Sequence, residues 1–241
     1  MEIKLRTIVV GDIHGCLEEF EELLKVLSYN KKTDRLILAG DLFDRGPYSV
    51  GVVAKAREMD VECVMGNHDL KFLKWWKNVG SSNDVYGKHP HYTQFSDEDI
   101  NYIARMSSYI KLEEHNTIIV HAGLRPYISL EKQTKDDLCY IRYMDKDFKF
   151  VGLKKINKLG SKEAADAHFW TEFGPFGYSI IYGHNVWETP KIDKFEDGTK
   201  CIGIDTGCCF GKYLTAYIIE TEEFIQVKAK REYYKSSFDI R

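Results

Sequence analysis

The chain has 241 residues, 44% of them hydrophobic and 29% charged, with a formal net charge of −3. That length buries a full core, and the balance is that of a soluble globular protein without the basic footprint of a nucleic-acid binder. No run approaches the ~20 apolar residues of a membrane span, and the opening MEIKLRTIVVGD enters a strand-like run with no signal-peptide apolar region or cleavage site.

In chain order, TIVV (7–10) reads as a buried strand, and Cys16 to Leu27 as an amphipathic helix with Leu17, Phe20, Leu23, Leu24 and Leu27 on one face. RLILA (35–39) is the next strand, and 50–59 is helical. VECVM (61–65) is a third strand, and 68–77 is helical again. Such alternation predicts parallel βαβ units. Residues 79–96 break the pattern with Gly, Ser, Asn and Pro and are expected to form a loop that shapes a site. A helix over 97–110, capped by Ser96 or Asp97, follows, then strands at 117–120, 178–182, 200–204, 213–219 and 223–229. Residues 143–162 carry no legible period, and 143–170 is expected to be a second site-shaping segment. With no repeat and no linker, a single domain over 1–241 is expected. Cys16, Cys63, Cys139, Cys201, Cys208 and Cys209 lack CxxC spacing, which implies reduced thiols in a cytoplasmic protein.

Five apolar runs end alike. IVVGDIHG, LILAGDLFDRG, CVMGNHD, TIIVHAG and IIYGHN each close on Asp, Asn or His. Parallel strands have their carboxyl ends along one edge, where ligands bind. That edge would gather Asp12, His14, Asp41, Asn67, His68, His121 and His184. One polar strand end is turn chemistry. Five, built from oxygen and imidazole donors without cysteine, predict a metal site for ions such as Mn²⁺, Fe²⁺ or Zn²⁺. Six donors exceed one tetrahedral ion, whereas two ions ~3.5–4 Å apart share a bridging carboxylate.

In order and spacing these motifs resemble the phosphoprotein phosphatase family of binuclear, calcineurin-like metallophosphoesterases, in its bacterial-type and diadenosine tetraphosphatase-like branches. The resemblance runs from about residue 7 to 220. It implies an α/β sandwich of four layers, two central mixed β-sheets flanked by helices. It also implies two divalent ions, Mn²⁺ first among them. Asp12 and His14 would hold one ion, Asp41 would bridge, and Asn67, His121 and His184 would hold the other. His68 would be the general acid and Asp44 its orienting partner. Arg45, Asn67 and Arg142 (in DLCYIRY) would contact the substrate phosphate.

The chemistry expected from these residues is direct attack on phosphorus by a hydroxide bridging the two ions. Arg45 and Arg142 would present planar forks to phosphoryl oxygens, and His68 would protonate the leaving group. The first expectation is a phosphatase acting on phosphomonoesters, with phosphoserine, phosphothreonine or phosphotyrosine in proteins as partners. The alternative is a phosphoanhydride hydrolase of dinucleoside tetraphosphates or polyphosphate, and a non-catalytic phosphate-binding module is a distant third. GNHDLKFL, with Asp69, is similar to the diadenosine tetraphosphatase motif, whereas HAGLRP and DLCYIR resemble bacterial-type protein phosphatases. His89, His91, His115 and His168 are read as surface or satisfied structural histidines, Arg125 as a structural pair or cap, and Trp75 and Trp76 as helix-face packing. Cys208, Cys209 and Asp205 are read as scaffold.

Overall fold

The structure, a computed structural model, describes residues 6–78 and 89–235. It begins with the expected alternation: β1 (Arg6–Val10), α1 (Leu17–Val26), β2 (Asp34–Leu38), α2 (Ser49–Met59), β3 (Glu62–Cys63) and α3 (Asn67–Lys77). Next come α4 (Asp97–Ala104), β4 (Ile110–Leu112), β5 (Thr117–Val120), α5 (Lys135–Tyr140), β6 (Tyr143–Met144), α6 (Leu153–Leu159) and β7 (His168–Phe169). The chain continues through β8 (Ser179–Tyr182), β9 (Lys191–Lys194), β10 (Lys200–Gly203), β11 (Tyr213–Ile218) and β12 (Glu223–Lys228).

Two five-stranded mixed sheets result, ordered β12-β11-β1-β2-β3 and β4-β5-β8-β10-β9, with β6 and β7 as a separate pair. In the first sheet β1, β2 and β3 are parallel; in the second β5, β8 and β10 are parallel. Side chains alternate across each strand, so an unbroken apolar run must be covered on both faces. Val9, Ile37 and Ala39 meet Ile119, Ile181 and Ile202 between the sheets. Ile8, Val10, Leu36 and Leu38 turn the other way, onto Phe20, Leu23, Val52 and Val53 of the helices. The second sheet's far face, Ile118, Val120, Ile180 and Tyr182, packs against Trp170 and Ile156. All six cysteines are buried and free. Among the described residues no helix is long and apolar enough to cross a membrane.

One expected element is shorter than its period implies, and others carry no signal in the sequence. The helix expected over 97–110 ends at Ala104. Ile100, Ile103, Met106 and Ile110 keep helical spacing. However, Ser107 bonds to Cys63 and Met65 at the edge of β3, and Ile110 already belongs to β4. Tertiary pairing overrides the period there. The illegible stretch 143–162 holds β6 and α6, elements of two and seven residues and too short to show a period. β9, KIDK, is an edge strand whose charges discourage further pairing and erase the apolar signal. Of the expected loop 79–96, residues 90–93 form a 3-10 turn, and 79–88 lie outside the described residues.

Candidate metal centre

The carboxyl ends of β1, β2, β3, β5 and β8 meet between the sheets. Asp12 and His14 follow β1, Asp41, Asp44 and Arg45 follow β2, and Asn67 and His68 open α3 beyond β3. His121 and His184 follow β5 and β8. Asp41 Oδ2 lies 3.5 Å from His14 Nε2 and 3.5 Å from His121 Nε2, midway between two groups of donors. On one side Asp12 Oδ2 is 3.8 Å from His14 Nε2. On the other, His121 Nε2 is 3.1 Å from Asn67 Oδ1 and 3.2 Å from His184 Nδ1. All six expected ligands therefore lie together, and Asp41, His121 and His184 form one of the chain's candidate metal clusters.

Hydrogen bonding fixes which lone pairs face inward. A carbonyl only accepts, so the Nδ1 of His14, 2.9 Å from Phe43 O, carries a proton, as does that of His121, 2.8 Å from Ala39 O. Their Nε2 atoms point bare lone pairs at the Asp41 carboxylate. Burial, reinforced by Arg45 at His14, pushes His14 and His121 below the usual histidine range, which favours the neutral ring in both. His184 is lowered in the same way by burial and Arg142. Burial and the neighbouring charges of Asp205 and Asp41 push the Asp12 carboxyl up. Carboxylate, amide and imidazole groups crowded with so few donors among them ask for cations. Arg45 partly answers this, its Nη1 donating to His14 Nε2 at 2.6 Å. The donor set thus fits divalent ions.

His68 stands at the rim with a different wiring. Its Nδ1 donates to Asp44 Oδ2 at 2.5 Å, while Nε2 faces the centre, 3.9 Å from Asp41 Oδ2. Asp44 also receives His91 Nε2 at 2.6 Å, His89 Nδ1 at 3.0 Å and the Tyr92 hydroxyl at 3.2 Å. Against its burial, the bonds from His68 and His91 hold its carboxyl well below the carboxylate range. His89 and His91 are satisfied histidines, as expected, but their partner is Asp44, a connection the sequence does not reveal. HPHY lies outside any apolar run, so only its paired histidines signalled it.

The two arginines differ in their restraints. Arg45 lies 5.3 Å from the Phe210 ring centre and 5.8 Å from that of Tyr234. Arg142 donates to Asn185 Oδ1 and to the His184 carbonyl, both at 2.8 Å. Asp69 accepts the backbone N–H groups of Asp41 and Gly66 at 2.9 and 2.8 Å, fixing the β2 end against the start of α3. Asp205 accepts Gly207 N–H, and the Arg125 backbone N–H donates to Gln133 Oε1. His115 meets Glu220, and His168 meets Glu172 and Asp166, away from the centre. Trp75 packs on Phe72 and Tyr92, whereas Trp76 remains substantially exposed.

The family model for calcineurin-like phosphoesterases matches residues 5–202. An asymmetrical bis(5'-nucleosyl)-tetraphosphatase, PrpE, of Oceanobacillus iheyensis is 29% identical, with 95% of each chain covered. A symmetrical bis(5'-nucleosyl)-tetraphosphatase of Erwinia tasmaniensis is 27% identical over 95% of this chain and 99% of its own. A solved structure of a candidate diadenosine tetraphosphatase superposes with a TM-score of 0.78 at 26% identity, over 95% of each chain. These relatives overturn the expectation of a phosphomonoesterase acting on proteins and favour the anhydride alternative. The shared core motifs misled that reading, because they describe the metal centre and not the substrate. The family implies divalent metal ions, for which the strand-end donors provide candidate clusters. With its matched family model covering residues 5–202, and with them all five polar strand ends, the chain belongs to the calcineurin-like phosphoesterases and is a phosphoric ester or anhydride hydrolase.

Proposed function

We propose that the protein hydrolyses the phosphoanhydride chain of dinucleoside tetraphosphates. Asp12, His14, Asp41, Asn67, His121 and His184 would hold two divalent cations, Mn²⁺ foremost. The observation that carries the hydrolytic reading is Asp41 Oδ2 set equally far, 3.5 Å, from the Nε2 atoms of His14 and His121. The anhydride substrate is supported by relatives named tetraphosphatases that align over nearly the whole chain. Because both sheets contribute donors to one centre, we read the 241 residues as a single catalytic domain.

Bound there, two cations would offset phosphate charge and make hydroxide available near neutral pH. The protein's own groups do the rest. Arg45 and Arg142 bind phosphoryl oxygens through planar guanidinium forks, with Asn67 beside them. Asp44 holds His68 with its protonated Nδ1 outward, so that Nε2 can deliver a proton to the departing oxygen. A departing nucleotide phosphate is more acidic than an alkoxide and needs that proton less. Asp41 both meets the ligand cluster and accepts the His68 backbone N–H at 2.9 Å, which ties the acid's position to the centre.

The test is product analysis with Mn²⁺-loaded protein and diadenosine tetraphosphate. Two ADP mark symmetrical cleavage, and ATP with AMP marks asymmetrical cleavage. Failure to turn over the dinucleotide while hydrolysing phosphopeptides overturns the proposal.

A further inference from the structure

A cleft of about 620 Å³ opens beside the metal centre, with Lys74, Tyr140, Arg142, Phe150, Leu153 and His184 in its walls. Its volume falls within the ~300–1,000 Å³ of small-molecule sites. Arg142 and the proposed metal ligand His184 join it to the centre, and Tyr140, Phe150, Val151 and Leu153 give it apolar wall. Tyr140 is 43% exposed and Phe150 50%, an unusual concentration of aromatic surface around one opening. A single exposed ring calls for no explanation, but two facing a cleft that runs into a charged centre do. Each ring also has a cation over one face. The Arg125 guanidinium sits 5.1 Å from the Phe150 ring centre, and Lys74 Nζ sits 5.7 Å from that of Tyr140. Both cations are held in place, Arg125 by the Phe148 carbonyl and Lys74 by Asp136 at 2.8 Å. The exposed surface of each ring is therefore the opposite face and edge. Phe150 itself is anchored by backbone pairing with Met144 of β6, which makes it a fixed platform.

Resting on the reading of the centre as a nucleotide-cleaving site, we propose that this cleft takes the nucleoside end of the substrate. The base stacks on Phe150 beside Tyr140, and the phosphate chain runs to Arg142 and His184. A planar base suits the open ring faces, and an anion suits the guanidinium at the inner end. The 143–170 segment thereby gains a role, since β6 and its neighbours carry the platform.

The test is calorimetric binding to Mn²⁺-loaded full-length protein of α,β-methylene-ADP and of methylenediphosphonate. Both resist hydrolysis at the bridging carbon, and they differ by the nucleoside. Wild-type protein is expected to prefer the nucleotide. Phe150→Ala should shrink that preference about 5- to 150-fold, the range for removing one base–aromatic stack. Phe150→Trp should retain it, and Tyr140→Leu, on a different element, should also reduce it. A preference unchanged in Phe150→Ala and Tyr140→Leu, or no preference in the wild type, overturns the inference. Nucleotide preference without turnover of diadenosine tetraphosphate counts against the proposed function and for the cleft. Turnover with a preference indifferent to both substitutions counts against the cleft alone.

Discussion

Asp44→Asn removes one oxygen's accepting capacity from a carboxylate that serves four donors. Oδ2 takes His68 and Tyr92, and Oδ1 takes His89 and His91. An amide offers one accepting oxygen and an NH₂, so whichever way it turns, two donors face a donor. If the oxygen stays with His89 and His91, His68 meets the NH₂ and must move its proton from Nδ1 to Nε2. The imidazolium, the form that gives up a proton in catalysis, then loses a charge-assisted hydrogen bond worth about 1.5–3 kcal/mol. That corresponds to a kcat about 10- to 150-fold lower, at or below the lower end of the ~10²–10⁴-fold that general acid catalysis supplies, as suits a departing phosphate that needs the proton less than an alkoxide. The assay is kcat on diadenosine tetraphosphate at saturating Mn²⁺, with metal content by elemental analysis and a matched His68→Asn variant. Metal content should stay at the wild-type value, because Asp44 is not among the six ligands. The double variant should be no slower than His68→Asn alone, since Asp44 acts through His68. Metal loss in Asp44→Asn, or losses that multiply in the double variant, would refute the reasoning.

Asp41→Asn should weaken metal binding at least about 10- to 100-fold and take activity with it, checked by metal titration; retained metal with lost activity argues against a bridging position. Gly183→Ala places a Cβ 2.0 Å from Asp12 Oδ1, so the carboxylate must move. A displacement on the order of 1 Å should cost about 10²-fold in kcat, and near-wild-type kinetics would show that the Asp12 position does not matter. Arg6 grips Asp34 through Nε at 3.0 Å and Nη2 at 2.8 Å, and against burial this holds the Asp34 carboxyl below its ordinary value. A lowered folded-state value means stability present above the unfolded pKa of ~3.9 and lost as pH falls through the folded one. Arg6→Met should therefore cost about 1 kcal/mol at pH 7 and progressively less in acid, read from urea midpoints; an equal cost at both ends contradicts the linkage.

The candidate metal site was legible because its signal is local and repeated. TIVV, LILA and TIIV must be buried strands, and the change from apolar to polar at each end can be read without knowing the sheet order. What failed did so where long-range partners decide. Met106 and Ile110 keep helical spacing with Ile103, yet Ser107 is taken by Cys63 and Met65, which lie far earlier in the chain. His89 and His91 carry no periodic context, and only the folded chain brings them to Asp44. The substrate was the least legible feature. The motifs encode donors, whereas Tyr140, Phe150 and Leu153, in the wall of the cleft proposed for the nucleoside, lie on or beside short elements with no pattern of their own.

The backbone at the centre adds an independent argument that these strand ends are built for a purpose. His14, Asp41, Asp44, Arg45 and His184 have φ of 46°, 50°, 68°, 71° and 63°, five of the twelve non-glycine residues with positive φ among those described. Asp and His tolerate this region better than most, but Arg45 gains no such relief. Conformations of this kind cost on the order of 1–3 kcal/mol each and persist only where surrounding contacts over-determine them. Those contacts are visible. His14 N–H donates to Asp41 O at 2.9 Å, Gly15 N–H to Leu42 O at 2.8 Å and Gly46 N–H to His14 O at 2.9 Å. The loops after β1 and β2 therefore brace one another, and neither could relax alone. An ordinary pair of turns would need no such bracing. The strain is consistent with side chains aimed inward at a common point, which is what caging two cations requires.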